Sequence, residues 1–380
     1  MTMTLLSPHL LRGGSADALT LMRAVLCPVV KLVDDFGPAA EFRAINPNVL
    51  VIGRVFEEND VMQEFRDGKT PELAAKEFMD RQTPIYLLNP HITIWEGPNE
   101  PIIDQEDPPP GEALTALGTP ADIEAMRWYC RFETERLHLL ANIGLRGVVC
   151  NFGVGHPKHI TLWKEAPILA MAVDIYEGYF GDHEYQNVDD SGAWGWKFLR
   201  VGFVETMLAS IGFPGLPRII TECGTESAWR PQASAGRYAS HLAIYDSALS
   251  LLRTRTNEPP VNVLGACLFT SSIDWNGFGI DGSGLVAALV PLLVPNVVGE
   301  PLPVPPPPLS DGATHTVVNT DLLNVRAHPW TIITPPLLYQ LKRGDRVRVW
   351  ASFVAHNGQT WGYIAEAGNE FVNMRYLNLL

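Results

Sequence analysis

Two glutamates in this chain stand where their carboxyl groups could act together on one substrate. Glu100 lies in the segment Trp95–Pro101, and Glu222 lies in the segment Ile219–Gly224. Each follows a short run of β-branched and apolar residues, which is typical of a buried parallel strand. Two carboxyl groups that meet at the end of such strands can cleave a glycosidic bond, one as acid and base and the other as nucleophile.

Up to Pro295 the chain alternates predicted strands and helices, the pattern of an α/β fold. The predicted strands are Leu5–Leu10, Pro28–Val33, Val49–Val55, Ile92–Trp95, Arg146–Cys150, Tyr179–His183, Arg218–Thr221 and Val261–Thr270. The predicted helices are Ser15–Leu26, Ala39–Ile45, one that opens at Thr70, Thr119–Ile143, Ile168–Tyr176, Trp196–Ile211, Ala235–Arg253 and Leu285–Leu293. Eight pairs in alternation predict a (β/α)8 TIM barrel over residues 1–295, whose strand ends converge on one mouth. A doubly wound open sheet competes with it, but no Gly-x-Gly-x-x-Gly turn follows the first strand.

Charge and cysteine content limit the partners of this protein. A formal net charge of −14 at pH 7 argues against nucleic acid and anionic membranes, whereas a neutral glycan suits an acidic surface. No apolar run is long enough to predict a membrane span. The first residues lack a basic region followed by a long apolar stretch, so no signal peptide is predicted. The five cysteines show no metal-ligand spacing, so we expect buried free thiols, no metal and no cofactor.

The C-terminal part of the chain has a different texture. Pro301–Pro308 is almost entirely proline and predicts an extended linker over residues 296–310. After Asp311, short alternating segments separated by turns such as Asn357-Gly358 predict a small all-β barrel over residues 311–380.

This tail resembles the bacterial Src-homology-3-like (SH3-like) domains. The motifs that carry the resemblance are a Leu-Asn-Val-Arg strand at Leu323–Arg326, Leu341–Val349, and a Trp-Gly-Tyr-Ile strand at Trp361–Ile364. The resemblance implies a binding or anchoring module whose ligand is a cell-wall or surface glycan, and it favours an extracellular or wall-associated protein. The proline-rich segment Thr331–Pro336 departs from the pattern.

Over Ser7–Ser272 the chain resembles glycoside hydrolase clan A, the retaining glycosidases built on a (β/α)8 barrel. The marks are the pair Asn99-Glu100 after strand four and Glu222 at the end of strand seven. The resemblance implies that Glu100 is the acid/base, that Glu222 is the nucleophile, and that Asn99 binds the sugar 2-hydroxyl.

The same resemblance implies further residues around the two glutamates. His183 and Tyr185 match a His-x-Tyr pair after strand six, with the tyrosine bonded to the nucleophile. Trp275 follows strand eight, where the clan supplies an aromatic platform for the sugar. Trp194 and Trp196 follow strand six and are candidates either for lining the cleft or for packing at the start of a helix.

Three more polar residues end predicted strands and are expected at the mouth. Arg54 ends strand three and is a cation that could keep Glu222 ionised. Asn151 ends strand five, and His9 ends strand one.

Other acidic residues near the two glutamates are set aside. Glu96 is expected to point the other way from Glu100, and Glu226 lies further into its loop. The segment Pro101–Gly118 is expected to wall one side of the cleft. The acids within it fit no known calcium loop, and we expect a solvated face.

Three functions remain open at this point. The first is a retaining glycosidase that acts on a β-linked glycan. The second is a non-catalytic protein that binds glycan or cell wall through an inactive barrel. The third is a lytic enzyme of the lysin type that cleaves the cell wall.

Overall fold

The N-terminal part of the chain forms a closed barrel of eight parallel strands, paired in the order β1 to β8, in the computed structural model. Residues 4–293 are described except for 13–14, 58–59, 105, 109–111, 113–114, 189–195, 256–258 and 273–276, and beyond them the backbone of separate strands is described between 313 and 379. The (β/α)8 barrel expected from the alternation of the sequence is confirmed.

Barrel strands and helices have the following bounds. The strands are β1 (Leu6–Leu10), β2 (Val29–Val33), β3 (Leu50–Arg54), β4 (Ile94–Glu96), β5 (Arg146–Val149), β6 (Tyr179–Tyr185), β7 (Arg218–Gly224) and β8 (Val263–Ser271). The helices are α1 (Ala16–Val25), α2 (Ala39–Ile45), α3 (Val61–Arg66), α4 (Pro71–Leu88), α5 (Pro120–Asn142), α6 (Pro167–Ile175), α7 (Val201–Ser210), α8 (Ala235–Thr254) and α9 (Leu285–Leu293), with a 3-10 helix at Ile160–Glu165.

The interior of the barrel changes from apolar to polar along each strand. A buried apolar cluster inside the barrel contains Val29, Ile52 and Ile94, one from each of β2, β3 and β4. Successive side chains of a strand alternate between its two faces, so the next inward positions are two residues further on. Those positions hold Lys31, Arg54 and Glu96, all of them buried. A charged layer therefore lies on top of the apolar one, at the C-terminal ends of the strands.

Several element boundaries differ from the sequence-based expectation. Helix α3 and the 3-10 helix were not predicted, because both are short and lack a clear apolar period. The helix predicted from Trp196 begins at Val201. The strands expected at Tyr179–His183 and Arg218–Thr221 run two and three residues further, to Tyr185 and Gly224.

All five cysteines are buried and free. Within the described residues no helix has the length and apolar character that a membrane span requires.

The C-terminal strands pair antiparallel. They are β9 (Ala313–Val317), β10 (Leu322–Arg326), β11 (Leu337–Lys342), β12 (Arg346–Val349), β13 (Ala351–Val354), β14 (Thr360–Tyr363), β15 (Phe371–Asn373) and β16 (Leu377–Leu379). One sheet has the order β11-β10-β15-β14-β13 and another has the order β12-β9-β16. The described segments of the tail are all strands, as expected, whereas its SH3-like fold stays a prediction. The linker at 296–310 lies outside the described residues.

Gly53 on β3 offers a test of barrel packing. A Cβ at this position would lie 2.5 Å from the ring of Trp95, which stacks on Tyr86 with ring centroids 4.1 Å apart. Replacing Gly53 by Ala should therefore destabilise the fold by about 1–3 kcal/mol, the usual cost of overpacking a core. Chemical denaturation measures this, with Gly236→Ala on α8 as the control. A Cβ there meets no atom within 4 Å, so that variant should be at least as stable as the wild type. Equal stability of both variants would contradict the described packing.

Candidate active site

Glu222 is a carboxylate at the barrel mouth that accepts three hydrogen bonds from side chains. Its Oε1 accepts hydrogen bonds from Lys31 Nζ at 2.8 Å and from Arg54 Nη1 at 2.7 Å. Its Oε2 accepts a hydrogen bond from the hydroxyl of Tyr185. The side chain is 7% exposed. The donors come from β2, β3 and β6, so four strand ends meet at this one group.

These contacts keep Glu222 ionised. Burial raises the pKa of this carboxyl, but the positive charges of His183, Lys31 and Arg54 outweigh it and hold the pKa well below the ordinary value. At neutral pH the group is a desolvated carboxylate with one edge toward the mouth, which is what a nucleophile requires.

A β-bulge in β7 directs Glu222 into the barrel. Ile220 pairs with Asp182, but Glu222 pairs with His183, so Thr221 is one residue more than β6 can match. The pairing with β8 shifts at the same place. An extra residue exchanges the two faces of a strand from that point on, and bulges of this kind are common beside active sites.

Asn151, which was expected at the mouth, supports this bulge from inside the barrel. Its side chain is fully buried and its Oδ1 accepts a hydrogen bond from Thr221 Oγ1 at 3.3 Å. A Cβ at Gly181 would lie 1.9 Å from the same oxygen, so only glycine leaves room for it. Asn151 therefore contacts strands β6 and β7 and does not face the cleft.

Glu100 is the exposed partner of Glu222. It lies four residues beyond β4, has a backbone φ of 45°, and exposes 44% of its side chain. The main-chain N–H of Glu100 donates to the carbonyl of Asn151 at 2.9 Å, which ties the loop after β4 to the end of β5. A left-handed backbone at a residue other than glycine is uncommon and concentrates at functional sites.

His183 lies between the two glutamates. Its Nδ1 is 2.9 Å from Glu100 Oε1 and 3.8 Å from Glu222 Oε2, and its Nε2 is 3.8 Å from Glu96 Oε1. Burial lowers the pKa of this imidazole, but the surrounding carboxylates reverse the effect and raise it to about 9. At neutral pH His183 is therefore a cation that donates to Glu100.

Asn99 and His9, both expected near the sugar, also lie at the mouth. Asn99 Oδ1 accepts a hydrogen bond from Arg54 Nη1 at 2.8 Å, the same nitrogen that bonds Glu222. His9 Nε2 is 3.6 Å from Glu222 Oε1, and its Nδ1 is 3.0 Å from the hydroxyl of Thr270. Burial lowers the pKa of His9 to about 4, so its ring is neutral.

Lys31 and Glu96 were not expected in the site. Lys31 Nζ lies 2.9 Å from Glu96 Oε1, and both side chains are fully buried. The expectation that Glu96 points away was wrong, because alternation along a strand does not extend through the loop Gly97–Asn99 to Glu100. The signal for Lys31 was its place inside Val29–Val33, since a lysine in a buried strand requires a carboxylate partner.

The cluster of Glu96, His183 and Glu222 also has the spacing of a metal site. Ligand atoms from the three residues lie within 4.8 Å of one another. However, Lys31 Nζ already lies 2.8 Å from both carboxylates. An ammonium group thus occupies the position between them, and a divalent ion beside it would be repelled.

Trp196 is placed at the start of a helix. Its ring lies over the guanidinium of Arg200, 4.3 Å from ring centroid to Cζ, and Arg200 immediately precedes α7. This arrangement matches helix-start packing, the alternative to lining the cleft. Trp194 and Trp275 lie outside the described residues.

Asp104 was expected on a solvated face and is instead buried. Its carboxylate accepts hydrogen bonds from the main-chain N–H groups of Lys158 at 3.0 Å and His159 at 2.8 Å. Burial alone would raise the pKa of Asp104, but the side chain of His156 and these main-chain hydrogen bonds lower it to about 2. Asp104 therefore fastens the segment that follows Glu100 to the loop after β5.

Comparisons with known proteins give only distant likeness. No protein family and no curated protein sequence matches the chain. Among solved structures it is similar to a glycoside hydrolase family 30 subfamily 8 xylanase from Clostridium acetobutylicum, with 12% identity, 77% of this chain and 71% of that chain covered, and a TM-score of 0.42. It is also similar to the cellulose synthase subunit Z of Clostridioides difficile, with 10% identity, 75% and 99% covered, and a TM-score of 0.43. A GH5 cellulase from an Icelandic hot spring isolate has 15% identity, 78% and 90% covered, and a TM-score of 0.39. Likeness at this level says nothing about activity, which must be inferred from the side chains.

The charge on His183 makes a prediction about stability and pH. Its pKa of about 9 in the fold exceeds the ordinary value of 6.5, so its contribution to stability is complete below pH 6.5 and is lost as the pH rises to about 9. The difference in free energy of unfolding between the wild type and His183→Gln should therefore shrink, by on the order of a few kcal/mol, between pH 6.5 and 9. Chemical denaturation at several pH values measures it.

His241 is the matched control for this prediction. Burial lowers its pKa to about 4, so it does not titrate between pH 6.5 and 9. The stability difference caused by His241→Gln should stay constant over that range. The same constancy for His183→Gln would refute a charged His183.

Proposed function

We propose that the barrel is a retaining glycoside hydrolase that cleaves a β-linked glycan, with Glu100 as acid/base and Glu222 as nucleophile. One observation carries the proposal, the contact of a single imidazole nitrogen of His183 with both carboxyl groups. It supports a pair of carboxyls close enough to act on one anomeric carbon.

The separation of the two carboxyls favours retention over inversion. The two contacts of His183 Nδ1, 2.9 Å and 3.8 Å, would have to lie nearly in a straight line to reach the lower limit of the inverting range, about 6.5 Å. Any bend at the nitrogen brings the oxygens toward the about 5–5.5 Å typical of retaining enzymes. An inverting enzyme would also need room for a water molecule between them.

The environments of the two groups suit the two steps of this reaction. Glu222 is buried and ionised, so it can attack the anomeric carbon while the bond to the leaving oxygen breaks. Glu100 is exposed and can pass its proton to that oxygen. In the second step Glu100 takes a proton from water, the water attacks the anomeric carbon, and the bond to Glu222 breaks.

An inactive barrel that only binds glycan explains this site less well. Removing a carboxylate from water costs free energy, and at Glu222 the contacts with Lys31, Arg54 and Tyr185 offset that cost. Ligand binding alone needs no such group. The identity of the glycan, including peptidoglycan for a lytic enzyme, is a question for the substrate panel below.

We also infer that the tail is an SH3-like module that holds the enzyme near an insoluble glycan. The Leu-Asn-Val-Arg motif falls within β10, and β10 pairs antiparallel with β11 and β15. Trp361–Tyr363 falls within β14, between β13 and β15.

Neutral replacements of the two glutamates test the reaction. Glu222→Gln should lower turnover by about 10⁴-fold or more, the usual effect of losing a nucleophile, since the amide cannot form the covalent intermediate. Glu226→Gln is the control, because Glu226 is exposed and pairs with Lys197 on the loop between β6 and α7. A screen of β-linked glycans with product sizing, together with zymography on peptidoglycan, supplies the substrate.

Two further measurements separate the roles. A 2-fluoro glycoside should label Glu222, and labelling of another residue would reassign the nucleophile. Glu100→Ala should lose more activity on a glycan than on a dinitrophenyl glycoside, because only the sugar leaving group needs a proton. Full activity of Glu222→Gln on any cleaved glycan would end the proposal.

Removal of residues 311–380 tests the tail. The full chain should co-sediment with insoluble cell walls or polysaccharide, and the shortened chain should not. Activity on a small soluble glycoside should be the same for both, because no catalytic residue is removed. Equal sedimentation of the two chains would argue against an anchoring module.

A further inference from the structure

A buried ion pair between Lys31 and Glu96 lies beside the proposed catalytic glutamates. Lys31 projects from the middle of β2 into the barrel and is fully buried. Its Nζ lies 2.8 Å from Glu222 Oε1, 2.8 Å from Glu96 Oε2 and 2.9 Å from Glu96 Oε1. Glu222 also pairs with Arg54, so Glu96 supplies a second negative charge beside these buried cations.

Glu96 extends the pair toward the acid/base. Its Oε1 is 3.8 Å from Nε2 of His183, whose other nitrogen is 2.9 Å from Glu100. Charges of opposite sign thus alternate from Glu222 through Lys31 and Glu96 to His183, which contacts Glu100. Every member except Glu100 is buried, so solvent screens these interactions weakly.

The two oxygens of Glu222 are not equivalent within this arrangement. Oε1 accepts from both Lys31 and Arg54, which occupies its two lone-pair directions. Among the residues that the structure describes, Oε2 accepts a hydrogen bond only from Tyr185, and it is the oxygen that faces His183 on the side of Glu100. Oε2 therefore keeps a lone pair free toward the place where a sugar would lie.

We propose that Lys31 and Glu96 are positioning residues for the glycosidase reaction: Lys31 fixes Oε1 of Glu222 so that Oε2 attacks, and Glu96 holds His183 as the charged donor that orients Glu100. This inference rests on the proposed function, since it assigns tasks within that reaction.

The alternating charges suit the first chemical step. The bond from the anomeric carbon to Glu222 Oε2 forms, the bond to the leaving oxygen breaks, and that oxygen takes the proton of Glu100. Negative charge leaves Glu222, which becomes an ester, and appears on Glu100, which has lost its proton. His183 contacts both groups, so a fixed cation faces the charge before and after the step, and Glu96 keeps that cation in place.

Replacing each member separately gives opposite signatures. Lys31→Met should lower kcat about 10²-fold with little change in KM, because it disturbs the nucleophile rather than the sugar contacts. It removes a cation from Glu222, so the acidic limb of the pH dependence of 2-fluoro glycoside inactivation should move up by about 1–3 pH units. Glu96→Gln should leave that limb in place or lower it. It should instead lower the titration midpoint of His183, measured by NMR of the ring.

Further variants separate positioning from folding. Lys31→Met leaves two buried carboxylates with fewer cations and could unfold, whereas the double variant Lys31→Met/Glu96→Gln leaves neither residue charged. The double variant should fold and still show the raised acidic limb. Arg218→Met is the matched control, because Arg218 is an equally buried cation that pairs with Asp182 on the helix-facing side of the barrel. It should lower stability without moving either pH signature.

The outcomes of these experiments separate the roles proposed for Lys31 and Glu96 from the proposed glycosidase function. If Glu222→Gln stays active, the proposed function is wrong, whatever Lys31 does. If Glu222→Gln is inactive, a folded double variant with wild-type kcat and an unmoved acidic limb overturns the roles of Lys31 and Glu96 alone. A raised limb together with a lowered His183 midpoint in Glu96→Gln supports both roles.

Discussion

The burial of one carboxylate among cations is the constraint on which the rest of this barrel depends. Moving Glu222 out of water costs several kcal/mol, and the cost is offset only where donors converge at bonding distance. Lys31 and Arg54 supply charge, and Tyr185 supplies a hydroxyl. They arrive from β2, β3 and β6, and only a closed barrel brings those strand ends to the same point. The fold and the candidate site therefore depend on the same contacts.

Strand geometry would by itself place Glu222 on the wrong face. Ile219 belongs to the apolar cluster inside the barrel, and a residue three positions later on a regular strand faces outward. The bulge at Thr221 removes this conflict, so that Ile219 and Glu222 both point inward. Asn151 and Gly181 make the bulge possible, one by a hydrogen bond and the other by the absence of a side chain. The bulge is therefore part of the candidate site, because it turns Glu222 toward the interior of the barrel.

The sequence predicted the strands, their order and the two glutamates, because parallel strands are continuous apolar runs and their ends are marked by polar residues. It marked Lys31 only as a lysine in a buried strand and did not predict its partners, because Glu96 and Glu222 come from β4 and β7 and meet Lys31 across the barrel interior. It placed Asn151 at a strand end but could not predict its contact with Thr221, since a bulge in β7 leaves no mark in the composition of that strand. The local sequence predicts where a strand lies, whereas the register between strands decides which side chains meet across the barrel.

The difference between the two glutamates follows from where each leaves its strand. Glu222 is still within β7, inside the charged layer, and is 7% exposed. Glu100 lies beyond β4, after Gly97 and Pro98 have carried the chain out of the barrel, and is 44% exposed. A group inside the layer has its charge fixed by neighbours, whereas a group above it is open to solvent and substrate. In the proposed reaction one carboxyl must stay ionised and the other must reach the leaving oxygen, so the position of each glutamate relative to its strand end supports the role proposed for it.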